Sequence, residues 1–182
     1  MSQTSFYTDE ELKTLGLRKF GSNVLISRLC SIYGAKNISI GDNVRIDDFC
    51  ILSGKITIGS HIHISAYTAL YCAYGITLED YTGIAQRCTL LSASDDFSGE
   101  YLVGAIHPEC KTNVSGGPIF MRKFSHIAAH CCILPDVTIE EGSVIGAMSF
   151  LNADTTPWMI YAGIPAKPIK ERSRNMIELA NY

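Results

Sequence analysis

An aliphatic side chain recurs every six residues along most of this chain, and no other feature restricts its fold as strongly. The series runs Ile40, Ile46, Leu52, Ile58, Ile64, Leu70, then resumes after a two-residue shift at Leu78, Ile84, Leu90. After a longer interruption it returns as Met121, Ile127, Ile133, Ile139, Ile145, Leu151. Four residues beyond most of these sits a small side chain, among them Cys50, Thr68, Cys88, Ser125, Cys131 and Ser149. The position directly after the aliphatic is often Gly, Ala, Asp or Glu, as at Gly41, Ala85, Ala128 and Gly146. A period of six is not helical, and Gly, Thr and Ile are frequent, so a helix is excluded. An ordinary sandwich would alternate, with turn clusters every ~8–12 residues, and does not fit either. A six-residue unit with one large and one small inward side chain makes one flat side of a triangular coil. Three units close a turn, and turns stack at the strand spacing of about 4.8 Å. The chain is therefore expected to be all-β, a single parallel β-helix domain over residues 1–182.

Three segments lie outside the repeat. Residues 8–17 read as a short N-terminal helix, with Thr8 as N-cap and Glu11 three residues on. Residues 95–117 break the register, carry Gly and Pro, and are expected to form a loop excursion. Residues 168–180 read as a C-terminal helix covering the last coil, because an open β-helix end needs a cap.

Composition excludes several classes of function. A net charge of −3 offers no basic surface for nucleic acid. The longest apolar runs fall well below the ~18 residues needed to cross a bilayer. The polar, acidic start carries no signal-peptide pattern, so the cytoplasm is the expected location. The seven cysteines are odd in number and have no CxxC or zinc-ligand spacing, so most are expected to be small core fillers.

Two phrases, ILPDVTIEEGSVIGAMS (Ile133 to Ser149) and AGIPAKPIKER (Ala162 to Arg172), carry a family resemblance. They are similar to the sugar and xenobiotic acetyltransferases of the hexapeptide-repeat family, and the likeness extends from Ile38 to Arg172. The segment SASDDFSGEY (Ser92 to Tyr101) resembles a subgroup acting on surface-polysaccharide sugars. Size and plan resemble the N-acetyltransferases of dTDP-4-amino-4,6-dideoxyglucose. The resemblance implies a left-handed coil, although parallel crossovers are normally right-handed. It also implies a homotrimer with active sites between neighbours, acetyl-CoA as co-substrate, and a sugar acceptor reached by the excursion. The chain departs from the family pattern at His126-Ile127-Ala128, where many relatives have Trp-Ile-Gly, and at Met148 in the G-A-x-S turn.

The residues themselves are compatible with a CoA site. Ala128, Ala129, Gly146 and Ala147 leave the coil backbone open to the pantetheine amides. Lys167, Lys170 and Arg172 offer cations for the phosphates. O-acetylating relatives place a histidine base at the start of the excursion, where this chain has Ser94-Asp95-Asp96. Three readings stay open: His107 is the base; Asp95 or Asp96 takes the proton or binds an ammonium; or the acceptor is an amine needing no fixed base. A sugar amine, by analogy with an α-amino group at about 7.7–8.0, is partly neutral at pH 7. The absence of the histidine favours N-acylation over O-acylation. No nucleophilic Ser or Cys is paired with a base, so direct transfer is expected. Two remoter alternatives are a zinc enzyme like the γ-class carbonic anhydrases and a non-catalytic scaffold. No two of His61, His63, His126 and His130 lie 18 residues apart, so no metal site is expected.

Overall fold

A computed structural model describes residues 5–180. The repeat folds as a parallel β-helix. Its first face stacks seven parallel rungs: Val24–Ile26, Val44–Ile46, Ile62–Ile64, Gly83–Ile84, His126–Ile127, Val144–Ile145 and Met159–Gly163. The other two faces are joined into one sheet, because strands Ile51–Ile58 and Ala69–Leu78 run round the corner between them. All fifteen repeating aliphatics point inward, and none is more than 2% exposed. Burying each contributes about 2 kcal/mol. Cys30, Cys50, Cys72, Cys88 and Cys131 are also buried, as core fillers should be, whereas Cys110 on the excursion is exposed.

The coil begins earlier than the repeat from Ile40 suggests, since Val24 and Ile26 already occupy a first rung in register with Val44 and Ile46. The two-residue shift is a bulge. Gly54 pairs with Cys72, but Ile56 pairs with Ile76, so the extra residues are absorbed between Cys72 and Ile76.

Corners impose a backbone the pattern does not reveal. At ten of the fifteen repeats the residue three after the aliphatic is a non-glycine in a left-handed conformation: Asn43, Phe49, His61, Tyr67, Tyr81, Arg87, Phe124, His130, Asp136 and Met148, with φ between 54 and 62°. Such a conformation costs a non-glycine residue about 1 kcal/mol. Stacking down the corners offsets part of it: His61 lies on Tyr81 at 4.6 Å, Tyr81 on Phe124 at 5.2 Å, and Phe49 on Tyr67 at 4.9 Å.

Helix α1 (Asp9–Thr14) closes the N-terminal end. Thr8 and Glu11 form the expected capping box, and Leu12 is buried against the first coil. Glu11 also receives both Arg28 guanidinium nitrogens at 2.6 and 2.7 Å. These hydrogen bonds, with the backbone N–H of Thr8, push its carboxyl down to about 2.

The C-terminal end differs from the expected helix over residues 168–180. Ala166–Glu171 is a strand antiparallel to Met159–Gly163, and helix α2 is confined to Met176–Leu179. The last rung exposes a row of unpaired backbone groups, and a returning strand satisfies them where a helix would not. Gly163, at φ 110°, permits the reversal.

The excursion leaves after Thr89–Leu91 and returns at Ile119–Met121, its base pinned by Ala93–Ser94 pairing with Ser115–Gly116. It inserts at a corner, so the ladder is uninterrupted: Ile76–Leu78 pairs with Ile119–Met121, and Gly83–Ile84 with His126–Ile127. Among the described residues no helix is long and apolar enough to cross a membrane.

Candidate active site

At the corner between the first and second faces, inward hydrogen bonds fix which way each peptide turns. The Cys88 thiol donates to the Ala128 carbonyl at 3.1 Å, and the Cys131 thiol to the Gly146 carbonyl at 3.1 Å. Cys50 does the same to Ser65 at 3.2 Å, and the Thr68 hydroxyl to Ala85 at 3.1 Å. In a trans peptide the C=O and the following N–H point opposite ways. The N–H groups of Ala129 and Ala147 are therefore turned outward, and neither has a partner among the described residues. The N–H groups of Ala128 and Gly146, by contrast, donate to the next rung at 2.8 and 2.7 Å. Of the four small residues, Ala129 and Ala147 offer backbone donors, while Ala128 and Gly146 provide clearance. A strip of unsatisfied donors beside small side chains suits an extended ligand with amide carbonyls.

The strip borders a groove of about 700 Å³ on the first face. Its floor carries Ser65, Gly83, Ala85 and Ala128, flanked by His63 and His126. Helix α2, through Met176 and Leu179, and the following Ala180 form one wall, anchored by the Tyr81 hydroxyl donating to the Ala180 carbonyl at 3.1 Å. His63 Nε2 lies 2.8 Å from Asp47 Oδ2, and Asp47 also accepts from Arg45 Nε at 2.7 Å. Burial raises the Asp47 carboxyl and these two hydrogen bonds lower it; the net direction is down. His126 Nδ1 lies 3.0 Å from the Phe124 carbonyl. Burial, opposed by that contact, holds its imidazole below the ordinary histidine value, and nearby Arg172 pushes the same way.

The groove residues are outward neighbours of the inward aliphatics, and the sequence pattern alone does not gather them. His63 and His126 share one face, either side of Gly83, because the excursion separates them in sequence without separating their rungs. The 18-residue offset rule therefore missed this pair. Among the described residues no three metal-ligating groups cluster.

The sequence-derived residues fall in different places. Asp96 is occupied within the excursion: Ser98 N–H and Asn113 Nδ2 each donate to it at 2.8 Å, holding its carboxyl below the usual value. Asp95 is freer, with one oxygen accepting from Gly104 N–H at 3.4 Å and the other without a partner among the described residues. His107 sits further out, its backbone N–H donating to Gly104. None of the three lines the groove of its own chain. Lys167 and Lys170 are exposed on the returning strand. Arg172 does not join them, because its Nη1 donates to the Phe124 and Gly142 carbonyls at 2.8 and 2.9 Å at the opposite corner. Desolvation lowers its pKa there.

A parallel hexad coil with an open amide strip, a groove beside it and an excursion after its ninth aliphatic describes a hexapeptide-repeat acyltransferase. Comparison with known proteins narrows that class, although no family model matches. The chain is 42% identical over 177 residues to dTDP-4-amino-4,6-dideoxy-D-glucose acyltransferase of Escherichia coli, covering 95% of this chain and 92% of the relative. It superimposes with a TM-score of 0.96 on AntD, an N-acyltransferase from Bacillus cereus solved with dTDP and 3-hydroxybutyryl-CoA, at 49% identity over 98% of this chain and 96% of that one. A hexapeptide-repeat acetyltransferase of Vibrio cholerae, complexed with acetyl-CoA, shares the fold at a TM-score of 0.65 and 18% identity, over 91% of this chain and 79% of that one. The chain belongs to the dTDP-4-amino-4,6-dideoxyglucose acyltransferase family.

Proposed function

We propose that this enzyme transfers the acetyl group of acetyl-CoA to the amino group of dTDP-4-amino-4,6-dideoxyglucose for surface polysaccharide synthesis, and that it does so as a homotrimer. The observation that carries the reading is the continuity of the donor strip with the groove through Ala128. Pantetheine lies along Ala129 and Ala147, Lys167 meets the nucleotide phosphates, and the thioester reaches the groove where the sugar sits. A solved AntD complex contains dTDP-4-amino-4,6-dideoxyglucose and CoA, which supports this pairing of substrates. The buried free thiols fit a reducing compartment such as the cytoplasm.

In the reaction the neutral amine attacks the thioester carbonyl, a C–N bond forms, the C–S bond breaks, and the thiolate of CoA leaves. One proton departs from the nitrogen and one arrives on the sulfur. We assign to Asp95 the orientation of the amine and the removal of its proton. Since no excursion residue lines the groove of its own chain, Asp95 comes from a neighbouring copy. The excursion is built for such contact, with Phe97 and Ile106 76% and 91% exposed.

The test is thiol release with the 4-amino sugar nucleotide and with its 4-hydroxy counterpart. The amine should be faster by at least ~100-fold, given the far weaker nucleophilicity of a protonated alcohol. Equal rates would refute N-acylation.

A further inference from the structure

His126 is a residue whose place in the groove the acetyl-transfer reading leaves unused. We propose that His126 binds the acyl acceptor directly, presenting the lone pair of Nε2 to an N–H or O–H of the sugar. The inference rests on the reading of the groove as the acceptor site.

Geometry fixes the tautomer. Nδ1 lies 3.0 Å from the Phe124 carbonyl oxygen, which can only accept, so Nδ1 carries the proton. Nε2 is then the acceptor. It is directed over Gly83, where an added Cβ would stand 3.3 Å from Nε2 and 2.9 Å from Cδ2. Any larger residue there would displace the ring. The ring lies against the groove, and among the described residues no donor is hydrogen-bonded to Nε2.

The surroundings keep that lone pair free. Arg172 shares the Phe124 carbonyl with His126 and, after burial and against that contact, further disfavours an imidazolium. Across Gly83 stands His63, held by Asp47. Tyr81 faces the same space, its hydroxyl committed to Ala180. The next rung contributes Val144, and the C-terminal wall Met176, Leu179 and Ala180, none of them titratable in the side chain. At neutral pH the groove, which His61 also lines where it stacks on Tyr81, therefore presents the Nε2 lone pair of His126 on an otherwise mostly apolar wall. An amine or hydroxyl entering it gains a partner, and an acceptor lacking that donor does not.

His126→Phe keeps a ring and removes the nitrogen, whereas His126→Gln places an amide oxygen near the site of Nε2. With the 4-amino sugar nucleotide as acceptor, Phe should raise the acceptor KM by at least ~10-fold while the KM for acetyl-CoA stays within about 2-fold. Gln should restore most of the loss. Protonation turns Nε2 from acceptor to donor, so as pH falls below the ordinary histidine value the wild-type acceptor KM should rise more steeply than titration of the amine alone requires, and the Gln variant should show only the amine's part of that rise. An unchanged KM in His126→Phe, or a Gln variant as impaired as Phe, overturns the assignment. If Phe does not fold, the pH profile of Gln decides: a profile like wild type's refutes the role. If the wild type releases no thiol with any amino sugar, the reading of the groove fails instead. The ¹⁵N imidazole spectrum still tests this residue separately, since a proton on Nε2 rather than Nδ1 refutes the geometry.

Discussion

The coil and the excursion use the same kinds of residue to opposite ends. Ile64, Ile84 and Ile127 in the coil are at most 2% exposed, whereas Phe97 and Ile106 in the excursion are 76% and 91% exposed. The coil satisfies itself, rung on rung, apart from outward corner N–H groups such as those of Ala129 and Ala147. The excursion holds its own backbone through Asp96 but leaves its apolar side chains and one oxygen of Asp95 unmatched among the described residues. Stability is therefore concentrated in one region, and the carboxylate proposed to react lies in a region that the proposed trimer would complete with a second molecule.

Removing the excursion is the strongest way to break this division. Joining Ser94 to Ser115, which already pair across its base, should leave the coil folded. Thiol release should fall by roughly 10³-fold, within the range a positioned acid–base group supplies. Retention of activity in the shortened chain would show that the coil alone is sufficient. A milder contrast uses one isoleucine from each region. Ile84→Ala should cost about 2–5 kcal/mol in chemical denaturation. Ile106→Ala should change the stability of the isolated chain by less than about 0.5 kcal/mol yet weaken self-association measured by ultracentrifugation.

The inward thiols sharpen the account of the strip. If Cys131 holds the peptide that aims Ala147 N–H outward, Cys131→Val should weaken CoA binding about 5-fold in calorimetry, the worth of one hydrogen bond, and Cys131→Ser should restore it. Equal affinity in both variants would reduce this cysteine to a space filler. The smallest effect concerns the N-terminal clasp. Glu11 has its carboxyl pushed down to about 2 by Arg28, so its contribution is present above the ordinary value of 4.5 and is lost as pH falls through about 2. Carboxyl NMR shifts should follow that course, and Arg28→Ala should return the midpoint towards 4.5.

The period of six made the coil legible, because every inward position must be apolar or small whatever surrounds it. The N-terminal helix was legible through Thr8 and Glu11, whose capping is local. The first rung at Val24–Ile26 was not, since its link to Val44–Ile46 spans 20 residues, with Ser31–Tyr33 and a short 3-10 turn at Ala35–Asn37 between. The groove was obscured for a related reason. Whether His63 and His126 face the same way depends on the excursion entering and leaving at one corner, which no local pattern records. Arg172 and the return strand were misread because the chain after Gly163 answers to an unpaired sheet edge, a tertiary demand, while Pro168 and the charges after it suit a helix start equally well.

The claim that each active site joins one copy's excursion to another's coil is tested most directly by complementation. Asp95→Asn spoils the excursion, and Ala129→Trp blocks the strip, so each variant alone should be nearly inactive. Co-refolding them in equal amounts would pair intact excursions with intact strips in about one quarter of the sites of a closed cyclic trimer, restoring that share of wild-type thiol release. A mixture no more active than its separate components would contradict the shared site.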